Sequence, residues 1–196
     1  MLLFPTRDDM VRALVPSAAH ILEIGVFRGE FAEVLLSLNP AALHLCDPWD
    51  GPSISGDANG NNVVGCDLRQ VYEALKQRHA CDWRVRFLRG RSPEALKGLE
   101  AGSLDMVYVD GNHSYEGCKA DLVEALRLVK PGGLIMGHDY EINPEKTAAR
   151  YDFGVKRAVD EFCAQHGLRI LAKGMDGCVS YCIRAPGSIQ YSGWGC

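Results

Sequence analysis

Four groups of residues in this 196-residue chain have types and spacing that can do chemistry. The first is Glu23-Ile24-Gly25-Val26-Phe27-Arg28-Gly29, at the end of an apolar run. Glycines there let a strand turn sharply into a helix and let the backbone approach a ligand. Only two glycines are present, with bulky Phe27 between them, so the three-glycine dinucleotide fingerprint is absent. Glu23 puts a carboxylate beside the turn, which would repel a pyrophosphate but suit the ammonium of an amino-acid-like ligand. The second is Asp47, directly after another apolar run, where an acid can accept hydrogen bonds from ribose hydroxyls. The third is Asp110-Gly111-Asn112-His113-Ser114, where a strand passes into a helix capped by Ser114. The fourth is His138-Asp139-Tyr140 after Gly137. If the strands carrying the third and fourth groups are neighbours, Asp110, His138 and Asp139 converge, with His113 nearby. Two carboxylates and an imidazole can hold a divalent metal.

The elements that must position these residues alternate. Strands are expected over Ala19–Gly25, Ala42–Cys46, Arg84–Leu88, Leu104–Val109 and Leu134–Gly137. Helices are expected over Gly29–Leu38, Val63–His79, Ser114–Val129 and Gly154–His166, with Ser92 capping a short helix that begins at Pro93. In the second helix Leu68, Val71, Tyr72 and Leu75 share a face. Arg169–Lys173 and Cys178–Arg184 read as a closing pair with a short connection, so the last strand should run antiparallel. Alternation of this kind implies a parallel sheet with right-handed crossovers and ligand sites at the carboxyl ends of the strands. Two loops leave from those ends, Asp47–Asn62 and Glu141–Asp152, and are expected to cover the site.

The bulk properties exclude several classes. At 47% hydrophobic and 23% charged residues, the chain can form a folded core rather than a disordered one. Its net charge of −4 leaves no basic surplus for a nucleic-acid face. No apolar run approaches the roughly 20 residues of a membrane span, and the first residues lack the pattern of a secretory leader. The eight cysteines form no CxxC pair, and most read as small buried hydrophobes in a reducing cytoplasm. The expected organisation is one domain over residues 1–196. Residues 1–18 form a helical cover segment and residues 185–196 a tail. Association into a homo-oligomer stays open.

Taken together, these motifs resemble class I S-adenosylmethionine-dependent methyltransferases, and most closely the methyltransferase-24 family. The resemblance rests on Glu23-Ile24-Gly25-Val26-Phe27-Arg28-Gly29, Val109 to Gly117, Leu128 to Gly133, Gly137 to Tyr140 and Phe153 to Val159, and spans about Ala19 to Ile183. It implies a doubly wound, Rossmann-like α/β fold in three α/β/α layers. The sheet would have seven strands in the order 3-2-1-4-5-7-6, strand 7 antiparallel. It also implies that Glu23, Gly25, Phe27 and Gly29 meet the methionine part of the cofactor and that Asp47 holds the ribose. Gly90, Arg91 and Ser92 would line the adenine, and Asp110 would lie at the reacting centre.

The chain is also similar to macrocin-type sugar O-methyltransferases, which bind magnesium through acids at the positions of Asp110, His138 and Asp139. His138 departs from that pattern, and an imidazole suits Mn, Fe, Ni or Zn better than Mg. The expected activity is therefore O-methylation of a small hydroxylated molecule such as a sugar, with Asp110, His113 and His138 as catalytic candidates. Tyr115 and Tyr140 are candidates for the pocket wall. Two alternatives are a metal-free methyltransferase with a histidine base, and a non-catalytic cofactor-binding or interaction module on the same fold.

Overall fold

The computed structural model describes residues 1–50, 52–56, 62–142 and 153–188, with the backbone alone for 52–56 and 62–66. In chain order the elements are β1 (Leu2–Phe4), α1 (Arg7–Leu14), β2 (His20–Ile24), α2 (Glu30–Leu36), β3 (Ala42–Asp47), β4 (Pro52–Gly56), β5 (Asn62–Asp67), α3 (Leu68–Arg78) and β6 (Val85–Arg89). A single 3-10 turn, Glu94–Leu96, precedes β7 (Leu104–Val109), α4 (Tyr115–Leu128), β8 (Val129–Ile142), α5 (Val155–His166), β9 (Ile170–Gly174) and β10 (Cys178–Arg184).

The main sheet has eight strands in the order β1-β9-β10-β8-β7-β2-β3-β6. From β6 to β9 this is the expected 3-2-1-4-5-7-6 order, with β10 antiparallel to both β8 and β9. The expectation of seven strands is corrected to eight. Leu2–Phe4 pairs in parallel with Ala172–Gly174, because without it β9 would be an open edge with unpaired backbone donors and acceptors. Three residues carry too little periodicity to read as a strand, and they acquire one only from that neighbour.

Side chains alternate across the sheet with the pleat. In β7, Val107 and Val109, with Leu104 beyond a register shift, join one core cluster with Leu122 and Leu128 of α4 and Val159 and Phe162 of α5. Met106 and Tyr108 point the other way, into a second cluster with Met10 and Val11 of α1, Phe31 and Leu35 of α2, and Leu75 of α3. These two cores make the three layers.

Several boundaries differ from the sequence expectation. Helix α3 begins at Leu68 rather than Val63, because the Asp67 side chain caps it by accepting from the Arg69 amide. The β-branched Val63 and Val64 belong instead to β5, which pairs antiparallel with β4. So the stretch after Asp47 is partly a hairpin rather than a loop, with residues 51 and 57–61 outside the described residues. Of the second expected loop, Glu141 and Ile142 still belong to β8, and residues 143–152 lie outside the description, as do 189–196 of the tail. Ser92 caps no helix; Pro93 occupies the cap position of the 3-10 turn, and Ser92 lies against the Asp121 carboxyl.

Helix α4 matches expectation, with Ser114 Oγ accepting from the Gly117 amide. Cys46, Cys118 and Cys182 are buried free thiols, Cys163 and Cys178 half-buried, and Cys81 exposed; the side chains of Cys66 and Cys196 lie outside the description. Among the described residues, no helix is long and apolar enough to cross a membrane.

Candidate active site

A cavity of about 780 Å³ opens at the carboxyl ends of the central strands, floored by Glu23, Gly25, Asp47, Gly90 and Asp110. Its floor is two chain reversals pressed together. Gly25 sits at φ +85°, and a Cβ there would lie 1.9 Å from the Asp110 carbonyl oxygen, so only glycine lets the two turns touch. The contact is tied by Gly25 N–H donating to Cys46 O (2.9 Å) and Asp110 N–H donating to Ile24 O (2.8 Å).

Asp47 holds the glycine turn in place. Its Oδ2 accepts from the Val26 and Phe27 amides, both at 3.0 Å, and its Oδ1 from the Trp49 amide at 2.7 Å. Trp49, fully buried, donates its indole N–H to Phe27 O at 3.0 Å. These bonds keep Phe27 at φ +53°, a conformation that costs a non-glycine residue on the order of 1–3 kcal/mol. They leave its side chain 42% exposed in the cavity wall.

Glu23 is 1% exposed and lines the cavity, and its Oε2 has no hydrogen-bond partner among the described residues. Burial pushes its pKa well up, the negative charge of Asp110 adds to that, and Arg7 opposes it. Gly90, Arg91 and Ser92 also line the cavity. The Arg91 guanidinium is largely exposed and pairs with Asp50 at 3.0 Å.

At the other side of the cavity lie Asp110, His113, His138 and Asp139. His113 Nε2 is 3.3 Å from Asp110 Oδ1 and 3.2 Å from Asp139 Oδ2. His138 Nδ1 is 3.2 Å from Asp139 Oδ1 but 4.0 Å from Asp110 Oδ1. The ligand atoms of Asp110, His113 and Asp139 all lie within 4.8 Å of one another. The trio that converges thus contains His113, and His138 stands beside it as a partner of Asp139. The hydrogen bond to Asp110 raises the His113 pKa, with burial opposing and the charge of Asp139 adding. Burial alone would raise Asp139, but hydrogen bonding from His138 and the charges of His138 and His113 hold it below its usual value. Asp139 adopts φ +56°, a left-handed position that short polar residues tolerate.

Arg7 also lines the cavity, and nothing in its own sequence neighbourhood marks it. The only available signal was the expected cover helix. Thr6 caps α1 by accepting from the Asp9 amide, and the first turn then carries the Arg7 guanidinium 4.4 Å above the Phe31 ring and 3.5 Å from Asp110 Oδ2. Trp49 was missed too, hidden in a polar stretch. Tyr115 and Tyr140 do not line the cavity: their hydroxyls donate to Glu161 and Asp160 on α5.

Residues 22–140 match the model of the methyltransferase-24 family, a methyltransferase domain. An uncharacterized protein of Sinorhizobium fredii (strain NBRC 101917 / NGR234), y4gI, is 32% identical over 182 residues, which are 85% of this chain and 18% of that protein. The 8-demethyl-8-(2,3-dimethoxy-alpha-L-rhamnosyl)-tetracenomycin-C 4'-O-methyltransferase of Streptomyces olivaceus is 25% identical over 161 residues, 72% of this chain and 61% of that protein. This chain therefore spans less than two thirds of either relative. In fold it is similar to the O-methyltransferase TomG of Streptomyces achromogenes, involved in tomaymycin synthesis and solved in complex with S-adenosylmethionine. The TM-score is 0.61, at 20% identity, over 92% of this chain and 78% of that one.

Proposed function

The chain belongs to the methyltransferase-24 family, and from that membership and the cavity we propose that it transfers a methyl group from S-adenosylmethionine to a hydroxyl of a small molecule. The observation that carries this reading is Glu23, a fully buried carboxyl with an unpartnered oxygen on the cavity floor. A buried carboxylate without a partner is costly, and a ligand ammonium relieves that cost. Asp47 keeps acceptor capacity beyond its three backbone donors for the ribose hydroxyls, and Gly90 to Ser92 border the adenine. When bound, the cofactor supplies a methyl group already activated on a sulfonium centre.

The protein then has to align the acceptor hydroxyl and take its proton. Asp110, His113 and Asp139 are the groups for that task. Their Nε2–O separations of 3.2 and 3.3 Å suit neighbouring ligands of one divalent ion, which lie about 3 Å apart when bonds are about 2.1 Å. The donor set, one nitrogen and two carboxylates, fits Mn, Fe or Zn better than Mg. Such an ion would supply a lowered pKa at the acceptor hydroxyl. A metal-free route is favoured by one observation, the His113–Asp110 hydrogen bond. With Nε2–H facing the two carboxylates, His113 would accept the proton at Nδ1, and the carboxylates would stabilise the imidazolium. The name of the Streptomyces olivaceus relative, a 4'-O-methyltransferase, supports a sugar hydroxyl as acceptor.

The test is isothermal titration of S-adenosylmethionine and S-adenosylhomocysteine into EDTA-treated protein, repeated with Mg, Mn and Zn. Micromolar cofactor binding is expected, and a metal-dependent heat assigns the proton-removing role to the ion. Cofactor binding without a metal effect assigns it to His113. Folded protein that binds neither nucleoside overturns the reading.

A further inference from the structure

We propose that Arg7 is the carboxylate-binding half of a two-ended clamp, with Glu23 as the ammonium-binding half. Helix α1 then belongs to the cofactor site rather than serving only as a cover. This rests on the reading of the cavity as an S-adenosylmethionine site. An α-amino acid carries an ammonium and a carboxylate on one carbon. A site for it needs an acid and a base side by side at the end of a cavity. Glu23 and Arg7 both line this cavity, and the Arg7 charge is near enough to Glu23 to oppose the rise in its pKa.

The guanidinium is already placed. The Arg7 amide donates to Asp176 Oδ2 at 2.9 Å, and Gly174 packs so closely that a Cβ there would come 2.8 Å from Arg7 Cα. The side chain lies over Phe31 and beside Tyr108. Yet among the described residues its five N–H donors are little used: the bond to Asp110 is at 3.5 Å, the outer limit, Asp8 lies 4.0 Å from Nε, and Tyr108 takes another. A planar fork with free donors in a partly desolvated site is suited to a carboxylate. The surroundings exclude a more highly charged anion. Glu23, Glu30, Asp47, Asp110 and Asp139 face the same space, against Arg7 and Arg91, so a phosphate dianion would be repelled. A single carboxylate on a ligand that also carries a cation is tolerated.

The experiment compares two ligands by calorimetry on the full chain. One is S-adenosylhomocysteine. The other is 5'-deoxy-5'-(3-aminopropylthio)adenosine, the same molecule without its carboxylate. Wild-type protein is expected to favour the carboxylated ligand by about ten- to a hundredfold, the range of a charge-assisted hydrogen bond. Arg7→Gln should bring the ratio close to one, and Arg7→Lys should keep part of it. Equal affinities in wild-type protein, or an unchanged ratio in Arg7→Gln, overturn the clamp while leaving the cofactor reading intact. If folded wild-type protein binds neither ligand, the cofactor reading fails and the clamp with it. Should Arg7→Gln fail to fold, the wild-type ratio and Arg7→Lys still decide the matter.

Discussion

Replacing Asp47 by Asn separates two roles that one carboxylate performs. If Asp47 served only as a ligand for ribose, ligand-free protein would not notice the change. The structure says otherwise, because both oxygens are engaged by backbone donors before any ligand arrives. In the Asn variant the amide oxygen can still accept from Val26 and Phe27, but the NH2 group faces the Trp49 amide, donor against donor. One charge-assisted bond at 2.7 Å is lost, a buried N–H is orphaned, and the remaining two bonds lose their charge assistance. We expect ligand-free protein to lose about 2–3 kcal/mol, a large fraction of the roughly 5–15 kcal/mol that holds a domain together. Asp47→Ala would orphan three amides and is too severe to interpret. The assay is urea unfolding without cofactor: the midpoint should fall at constant slope. Emission from buried Trp49 should shift to the red as its anchor loosens. A weaker cofactor affinity should accompany the loss. An unchanged midpoint would refute the argument that Asp47 builds the turn.

Other perturbations test other parts. Burial raises Asp121 from 3.8 to about 6. Native protein therefore holds a proton that unfolded protein releases, and this contribution is full below pH 3.8 and is lost as pH rises through about 6. Relative to wild type, Asp121→Asn should gain up to about 3 kcal/mol between pH 4 and pH 8 in urea midpoints, and parallel pH profiles would contradict this. Glu23 must ionise to pair with an ammonium, so cofactor affinity should rise with pH through its elevated pKa and binding should release a proton. Titrations in buffers of different ionisation heat read that release, which Glu23→Gln should abolish along with about ten- to a hundredfold in affinity. If titration shows Mn or Zn binding, His113→Ala should remove it, whereas His138→Ala should weaken it less; the reverse order would move the converging set to His138.

What could be read from the chain was whatever is local. Ser114 caps α4 three residues before the amide it accepts from, and the closing strands β9 and β10 follow from apolar runs with too little chain between them for a helix. Glu23 and Gly25 stood out as an acid and a glycine at a strand-to-helix turn, and both line the cavity. What could not be read depends on neighbours distant in sequence. β1 exists because β9 leaves an edge, and a polar-looking stretch becomes β4 and β5 by pairing with itself. His113 takes the converging position over His138 because its Nε2 faces Asp110 and Asp139 together, a matter of side-chain direction rather than of spacing. The convergence of the two strand ends was legible from strand order; that His113 lies closer than His138 to both carboxylates was not.

The site shows why backbone and ligand chemistry cannot be divided among separate residues here. Asp47 is both the acid at the end of β3 and the clamp that holds Phe27 in a left-handed conformation. Gly25 is both the turn after Glu23 and the surface on which the Asp110 carbonyl rests. Arg7 both starts α1 and supplies the cation that opposes the buried acids. Beside them Glu23 holds an Oε2 with no hydrogen-bond partner among the described residues. On the proposed reading an entering ammonium offsets the cost of ionising Glu23, and a floor that is already rigid adds to the affinity. Variants that loosen the floor should therefore weaken the cofactor even where they touch no ligand atom, and Trp49→Phe, which removes the indole donor to Phe27 and part of a buried ring packed on Tyr72 and Phe87, is one such change.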